Sequence, residues 1–200
     1  MGWHAPPHQC VAIDKQITQQ GDDMLPQLET ERILLKPRSD ADLDFVAALN
    51  ADPEVMRYIA AVGDPAMGRE GVAGRSFLHV ERGLGYWTVF ARTDESNPLG
   101  YVGLIPDGDD PEQAQISYRF AARHWGRGFA REAVDRLLRY GFETLELPEA
   151  LIVTHPQNAA SLQLAARLGF ESAPSETEIL IGATPVPAVR FRLRRVYIAT

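Results

Sequence analysis

The sequence predicts an α/β chain, α+β in its layering: a single mixed, mostly antiparallel sheet with helices on both faces. Two observations predict it. Three short β-type runs follow one another in mid-chain, Tyr86 to Ala91 (YWTVFA), Leu99 to Leu104 (LGYVGL) and Gln115 to Phe120 (QISYRF). Short polar links join them, as in an antiparallel meander. The period then turns helical, and a strand–helix–strand unit follows it to the end of the chain.

Each element has its own signal. Residues 1–28 lack hydrophobic periodicity and are rich in Gln, Pro and Asp, which predicts a flexible tail ahead of one domain over 29–200. His4, His8 and Cys10 match no familiar zinc spacing, so the tail reading takes precedence and no metal is expected. Arg32 to Pro37 (RILLKP) reads as a strand. Ser39 stands at a helix N-cap, with Asp42 three residues on as in a capping box. Leu43, Val46, Ala47 and Leu49 give helical spacing to about Asn50, and Pro53 opens a short helix through Tyr58. Met67 to Arg82 reads as a further helix, weakened by Gly71 and Gly74.

The meander strands are bounded by turn chemistry over 94–98 and 106–111. From Gly126 to Leu145 one apolar face recurs through Ala130, Ala133, Val134, Leu137 and Leu138. On the opposite face Glu132 precedes Arg136, and Asp135 precedes Arg139, by four residues in the favourable order. Ala150 to Thr154 (ALIVT) is a buried-type strand. Asn158 to Leu168 is a helix stopped by Gly169. Val189, Phe191 and Leu193 alternate with Arg190, Arg192 and Arg194 in a last strand with one wet face.

Composition narrows the function. The 200 residues are 45% hydrophobic and 24% charged, an ordinary globular balance that excludes a disordered chain or a coiled coil. No apolar run is long enough to cross a membrane, and residues 1–21 lack the pattern of a secretory signal. The single cysteine excludes an internal disulfide framework and fits a reducing cytoplasm. A net charge of −7 argues against a general nucleic-acid binder. Positive charge is nonetheless concentrated between Arg119 and Arg139, where six arginines face two acids.

Within that stretch Arg123-His124-Trp125-Gly126-Arg127-Gly128-Phe129-Ala130 lies between a strand and the longest helix. A helix start exposes unpaired N–H groups and favours negative charge. Glycines let that backbone approach a ligand, so Gly126 and Gly128, flanked by Arg123 and Arg127, read as a pyrophosphate cradle or as a Gly-rich strand-to-helix turn with no ligand. A Walker loop is excluded because Phe-Ala-Arg follows Gly128. The dinucleotide fingerprint fails at Arg131, where Gly or Ala belongs.

The run Arg123-x-x-Gly126-x-Gly128-x-Ala130 resembles the acetyl-CoA pyrophosphate loop of the GNAT acetyltransferase superfamily. Arg131-Glu132-Ala133, Tyr140-Gly141-Phe142, Asn158-x-x-Ser161 and Arg167-Leu168-Gly169-Phe170 follow in register. They resemble the branch that acetylates the N-terminal alanine or serine of ribosomal proteins. The resemblance runs from about Glu29 to the last strand. It implies the GNAT fold, with acetyl-CoA as cosubstrate, an amine acceptor and a homodimer. It places the pyrophosphate on backbone groups from His124 to Ala130, and the pantetheine arm along the strand end at Phe120 and Ala121. Asn158 then bonds the pantetheine and Ser161 lies near the thiol.

Two family features are missing. Relatives often carry a glutamate base on the strand before the loop, where this chain has Gln115. Many carry a tyrosine acid where this chain has Ala165. Ser161 and Tyr118 are the catalytic candidates that remain, with His155 as a base only if it faces the cleft. Lacking a base, the chain suits an α-amine, with pKa about 7.7–8.0, better than a lysine at about 10.4. Asp107, Asp109, Asp110 and Glu112 could draw in a cationic acceptor or simply solvate a turn. The expected function is transfer of acetyl to a primary amine by direct attack. The alternative is a CoA-binding module that has lost catalysis.

Overall fold

The structure is a computed structural model that describes residues 25–107, 110–174, 178–181 and 184–195. His4, His8, Cys10 and Asp109 lie outside the described residues, as do the side chains of Asp110 and Glu112. Eight strands form one sheet in the order β1-β2-β3-β4-β5-β6-β10-β7. They are β1 (Leu28–Glu29), β2 (Ile33–Pro37), β3 (Gly85–Ala91), β4 (Asp94–Asp107), β5 (Asp110–Phe120), β6 (Glu149–Thr154), β7 (Glu171–Ala173) and β10 (Val189–Arg194). β8 (Glu178–Ile181) and β9 (Thr184–Pro187) form a separate hairpin. Every pairing in the sheet is antiparallel except β5 with β6. This is the mixed sheet expected from the sequence.

Alternation along the strands sorts the core onto two faces. Trp87, Val89, Val102 and Leu104 join Ala133, Val134 and Leu137 of α4 (Phe129–Arg139), with Leu164 and Ala165 of α5 (Ala159–Arg167). Tyr86 and Tyr101 point the other way. They pack with Leu43, Val46 and Leu49 of α1 (Leu43–Asn50) and Val72 of α3 (Arg69–Ser76). The short α2 (Pro53–Met56) connects this second layer, capped by the Asp52 carboxylate on the Glu54 N–H at 2.9 Å. Leu25 and Leu28 already lie in the core, and the Trp87 indole donates to the Pro26 carbonyl at 2.8 Å. The sheet therefore takes up the chain just before residue 29.

Several boundaries differ from the sequence reading for local reasons. The Asp42 carboxylate accepts from the Ser39 N–H at 2.8 Å, yet the first turn is a 3-10 turn and α1 starts at Leu43. The expected helix over 67–82 is broken into α3 between two 3-10 turns. Gly68 is extended ahead of α3, and Gly83 takes a left-handed φ of 71° after the last turn. The polar links are taken into strands where they are described. Residues 94–98 open β4 against β3 in an irregular hairpin, and β4 and β5 stay paired through 106–107 and 110. The helix read from Gly126 begins at Phe129 and gives way after Arg139 to a π-helical turn over Tyr140–Thr144. There the Tyr140 ring meets Trp87 edge-on at 5.6 Å, and its hydroxyl donates to the Gly83 carbonyl at 3.0 Å.

Candidate active site

The site opens where two parallel strands part. β5 and β6 pair only over Gln113–Gln115 and Glu149–Leu151. Beyond them β5 runs on to Phe120 beside a gap. Main-chain geometry decides what faces that gap. The Ala121 N–H donates to the Leu99 carbonyl at 3.0 Å, and Gly100 stands opposite Phe120, Val102 opposite Tyr118. Opposed residues in an antiparallel ladder alternate between bonded and non-bonded pairs. The N–H and C=O of Phe120 and Tyr118 therefore turn away from β4, toward the gap. The Phe120 carbonyl is occupied by the Trp125 indole N–H at 2.7 Å. The Phe120 N–H and both groups of Tyr118 have no main-chain partner among the described residues. The Ala121 N–H, expected beside Phe120 on this edge, is committed to β4 instead.

The loop into α4 forms the end of the gap. Gly126 and Gly128 both adopt left-handed φ, 71° and 81°, a conformation that favours glycine. The first main-chain N–H of the helix to find an acceptor is that of Glu132, on Gly128 at 3.1 Å. From Gly126 to Arg131 no main-chain N–H donates to another described residue. Unpaired N–H groups at the positive end of a helix dipole are an arrangement that favours an anion.

A clamp from the turn between β1 and β2 holds this loop from behind. Arg32 donates from Nε to Glu132 Oε2 at 2.6 Å and from Nη1 to the Arg127 carbonyl at 3.2 Å. Its guanidinium and that of Arg127 each lie 5.0 Å from the Phe129 ring centroid. The Thr30 hydroxyl also donates to Glu132. Burial pushes the Glu132 carboxyl up, but hydrogen bonds from Thr30 and Arg32 outweigh it and hold the group below its ordinary value. The sequence reading paired Glu132 with Arg136. In the structure Arg136 instead donates to the Glu29 carbonyl at 3.2 Å, because Arg32 has taken the carboxylate. The Asp135–Arg139 pair forms as expected, at 3.1 Å. Arg119 points to the α1 face and donates to Asn50, so the six arginines are not one patch.

α5 supplies the other wall. Asn158 caps it, its Oδ1 accepting from the Ser161 N–H at 3.2 Å. This fixes Ser161, which is 5% exposed, with its Oγ 2.6 Å from the Tyr118 hydroxyl. Burial raises the Tyr118 pKa and the Ser161 hydrogen bond offsets part of that rise, so the phenol stays protonated at neutral pH. The structure thus brings the two hydroxyl candidates into contact. The cleft they line measures about 540 Å³ and also touches Phe120, His124, Trp125, Gly126, Gly128 and Ala130.

The remaining candidates separate. Ala165 is fully buried and Gln115 sits in the short β5–β6 ladder, so neither position offers an acid or base. His155 Nδ1 accepts from the Gln157 N–H at 3.0 Å, which places the proton of the neutral ring on Nε2. It can therefore take a proton only by giving up that bond, and its ring packs on Tyr58 at 5.1 Å. His124 has both ring nitrogens buried without a partner among the described residues. Burial, then Arg123 and Arg127, push its pKa down, so the ring is neutral. Asp107 is bound by Arg190, which also reaches Gln113 at 3.0 Å, so this acid is not free for an acceptor. Glu54, Arg57, Tyr58 and Ile59 of the α2 region border the cleft and carried no sequence motif. Arg32 was also missed, since its partner lies a hundred residues away.

Comparison with known proteins matches residues 32–171 to the acetyltransferase (GNAT) domain. An uncharacterized N-acetyltransferase, p20, of Bacillus licheniformis is 31% identical over 147 residues, covering 72% of this chain and 82% of that protein. The FsC-acetyl coenzyme A-N(2)-transacetylase of Aspergillus fumigatus is 30% identical over 156 residues, covering 72% of this chain and 65% of that protein. The crystal structure of an acetyltransferase from Agrobacterium tumefaciens superposes with a TM-score of 0.71 at 26% identity, over 84% of this chain and 94% of that one.

Proposed function

The chain belongs to the GNAT acetyltransferase family, and from that premise we propose that it moves an acetyl group from acetyl-CoA to a primary amine. The pyrophosphate sits on the N–H groups from Gly126 to Arg131, and the pantetheine arm lies along the β5 edge freed by the parting of β6. Asn158 closes the other side from the head of α5. In a ternary complex the neutral amine attacks the thioester carbonyl carbon directly. The carbonyl electron pair moves to oxygen, where the Phe120 N–H is the donor aimed at it. Collapse breaks the C–S bond, and the ammonium proton leaves to water.

The Tyr118–Ser161 hydroxyl pair carries this reading. With Tyr118 donating to Ser161, the serine proton is free to point at the departing sulfur. An ordinary thiol has a pKa of about 8.5 and the buried phenol lies above about 10. The relay therefore stabilises the thiolate by hydrogen bonding rather than by full proton transfer.

The acceptor is an amine that is neutral in useful amount near pH 7, such as a protein N-terminus or a small-molecule amine. Glu54 is the one carboxylate among the described cleft residues, and His155 has its Nδ1 engaged by the Gln157 N–H. Arg57, Arg131 and Arg167 border the same cleft, a poor setting for a polycation. The alternative, a CoA-binding module without turnover, draws on Gln115 and Ala165 at the positions where relatives keep a base and an acid. Thiol release from acetyl-CoA separates the two readings. A peptide with a free N-terminus should turn over faster than the same peptide blocked there but carrying lysine. Acetyl-CoA binding without thiol release for any amine favours the module.

A further inference from the structure

Behind the end of β2, away from the cleft, one guanidinium is buried without an acid. Arg38 is 7% exposed. Its plane is fixed three ways. Its guanidinium carbon lies 4.3 Å from the Tyr86 ring centroid and 4.5 Å from that of Tyr101. Nη1 donates to Ser76 Oγ at 3.0 Å, and the Ser76 hydroxyl donates to the Val72 carbonyl at 2.7 Å.

The opposite edge is unmet. Nε and Nη2 are both buried and have no partner among the described residues. These two nitrogens form the side-on fork that matches the two oxygens of a carboxylate. The nearest acids do not fill it. Asp42 is turned to the Ser39 N–H and hydroxyl at 2.8 and 2.9 Å, and Asp40 is exposed at the rim. Arg75 nearby adds positive charge, although its own donors go to the Ala66 and Gly71 carbonyls. A buried, unpaired guanidinium with unmet donors is costly, and an anion on the fork removes that cost.

Arg38 also borders a cavity of about 390 Å³. Its walls include Leu25, Phe77, Val80 and Tyr86, with Ser76 and Asp40 as polar members. It shares no lining residue with the cleft. We propose that this cavity is a second binding site, which takes a small organic monocarboxylate on the Nε–Nη2 fork of Arg38. The apolar walls favour a ligand with a hydrocarbon body. The single unpaired guanidinium and the acid at the rim disfavour a doubly charged phosphate.

Isothermal titration of the full chain with butyrate, acetate and inorganic phosphate, at fixed ionic strength, tests this. Butyrate should bind at one site, more tightly than acetate, and phosphate should not compete. Arg38→Met and Arg38→Lys should each weaken butyrate roughly tenfold or more. Acetyl-CoA affinity should stay within about twofold in both variants, since the cleft is separate. In carboxylate-free buffer Arg38→Met should melt no lower than wild type, because the unpaired charge is gone. A merely structural arginine would give the reverse, a lower melt with no butyrate response to lose. If Arg38→Met does not fold, Ser76→Ala, which unpins the fork, should still weaken butyrate. No butyrate binding, undiminished binding in the Arg38 variants, or phosphate binding as tight as butyrate would overturn the proposal.

Discussion

Tyr118 on β5 and Ser161 on α5 share a 2.6 Å hydroxyl–hydroxyl hydrogen bond where β5 loses its parallel partner. Neither residue reaches the other through local sequence. Tyr118 is carried by the register of the meander, Ser161 by the Asn158 cap that starts α5. The pair is the polar end of a cleft whose other end is the glycine loop.

Removing either hydroxyl should therefore lower kcat with little change in KM for acetyl-CoA. Tyr118→Phe and Ser161→Ala should each cost on the order of a hundredfold, as for loss of one positioned hydrogen-bond donor to developing charge. The double variant should be little worse than either single one, because the two act as one relay. Steady-state kinetics on the three variants checks this.

Gly128→Glu should abolish acetyl-CoA binding while the fold survives. Gly128 holds a φ of 81° at the head of α4, and a carboxylate there would compete for the N–H groups that the proposed function assigns to phosphate. Wild type at about 100 times its dissociation constant should gain about 2.7 kcal/mol from acetyl-CoA, and the variant none. A thermal-shift titration reads this directly.

Arg32→Ala should raise KM for acetyl-CoA several-fold with kcat nearly unchanged. Arg32 touches no reacting atom but fixes the Arg127 carbonyl and Glu132 behind the loop. Its side chain is 49% exposed, so lost stability should stay within about 1 kcal/mol. Arg32→Lys should rescue little, since one ammonium cannot span both acceptors.

Acid should weaken that same clamp. Glu132 sits below its ordinary 4.5 in the folded chain, through its hydrogen bonds to Thr30 and Arg32. A depressed carboxylate stabilises fully above the unfolded value and loses that contribution as pH falls through the folded one. Wild type should thus melt higher than Glu132→Gln at neutral pH. The difference should close as pH drops below about 4.5.

The meander, the final strand and both long helices were legible because periodicity is a local signal. Asn158 was legible twice, as an N-cap and as part of a motif, and it does cap α5. The polar stretches 94–98 and 106–111 misled, because strand ends stay paired through their main chains without apolar residues, as they do at Asp94, Pro98, Pro106 and Asp107. Glu132 misled for another reason. A favourable i,i+4 partner at Arg136 lost to Arg32, whose fork gives a second bond at no cost to the helix. Short edge strands such as β1 and β7 carry too few residues for any period to show. The Arg38 fork was invisible for the same reason as the Arg32 clamp. Only the fold brings Ser76, Tyr86 and Tyr101 around one guanidinium.

The most direct measurement is thiol release from acetyl-CoA with a free N-terminal peptide, coupled to mass spectrometry of the product, for wild type and Tyr118→Phe. Wild type should place one acetyl group on the α-amine. Tyr118→Phe should bind acetyl-CoA as well and turn over roughly a hundredfold more slowly. Turnover unchanged by Tyr118→Phe, or acetyl-CoA bound by wild type with no thiol released to any amine, would contradict a transferase that works through the Tyr118–Ser161 pair.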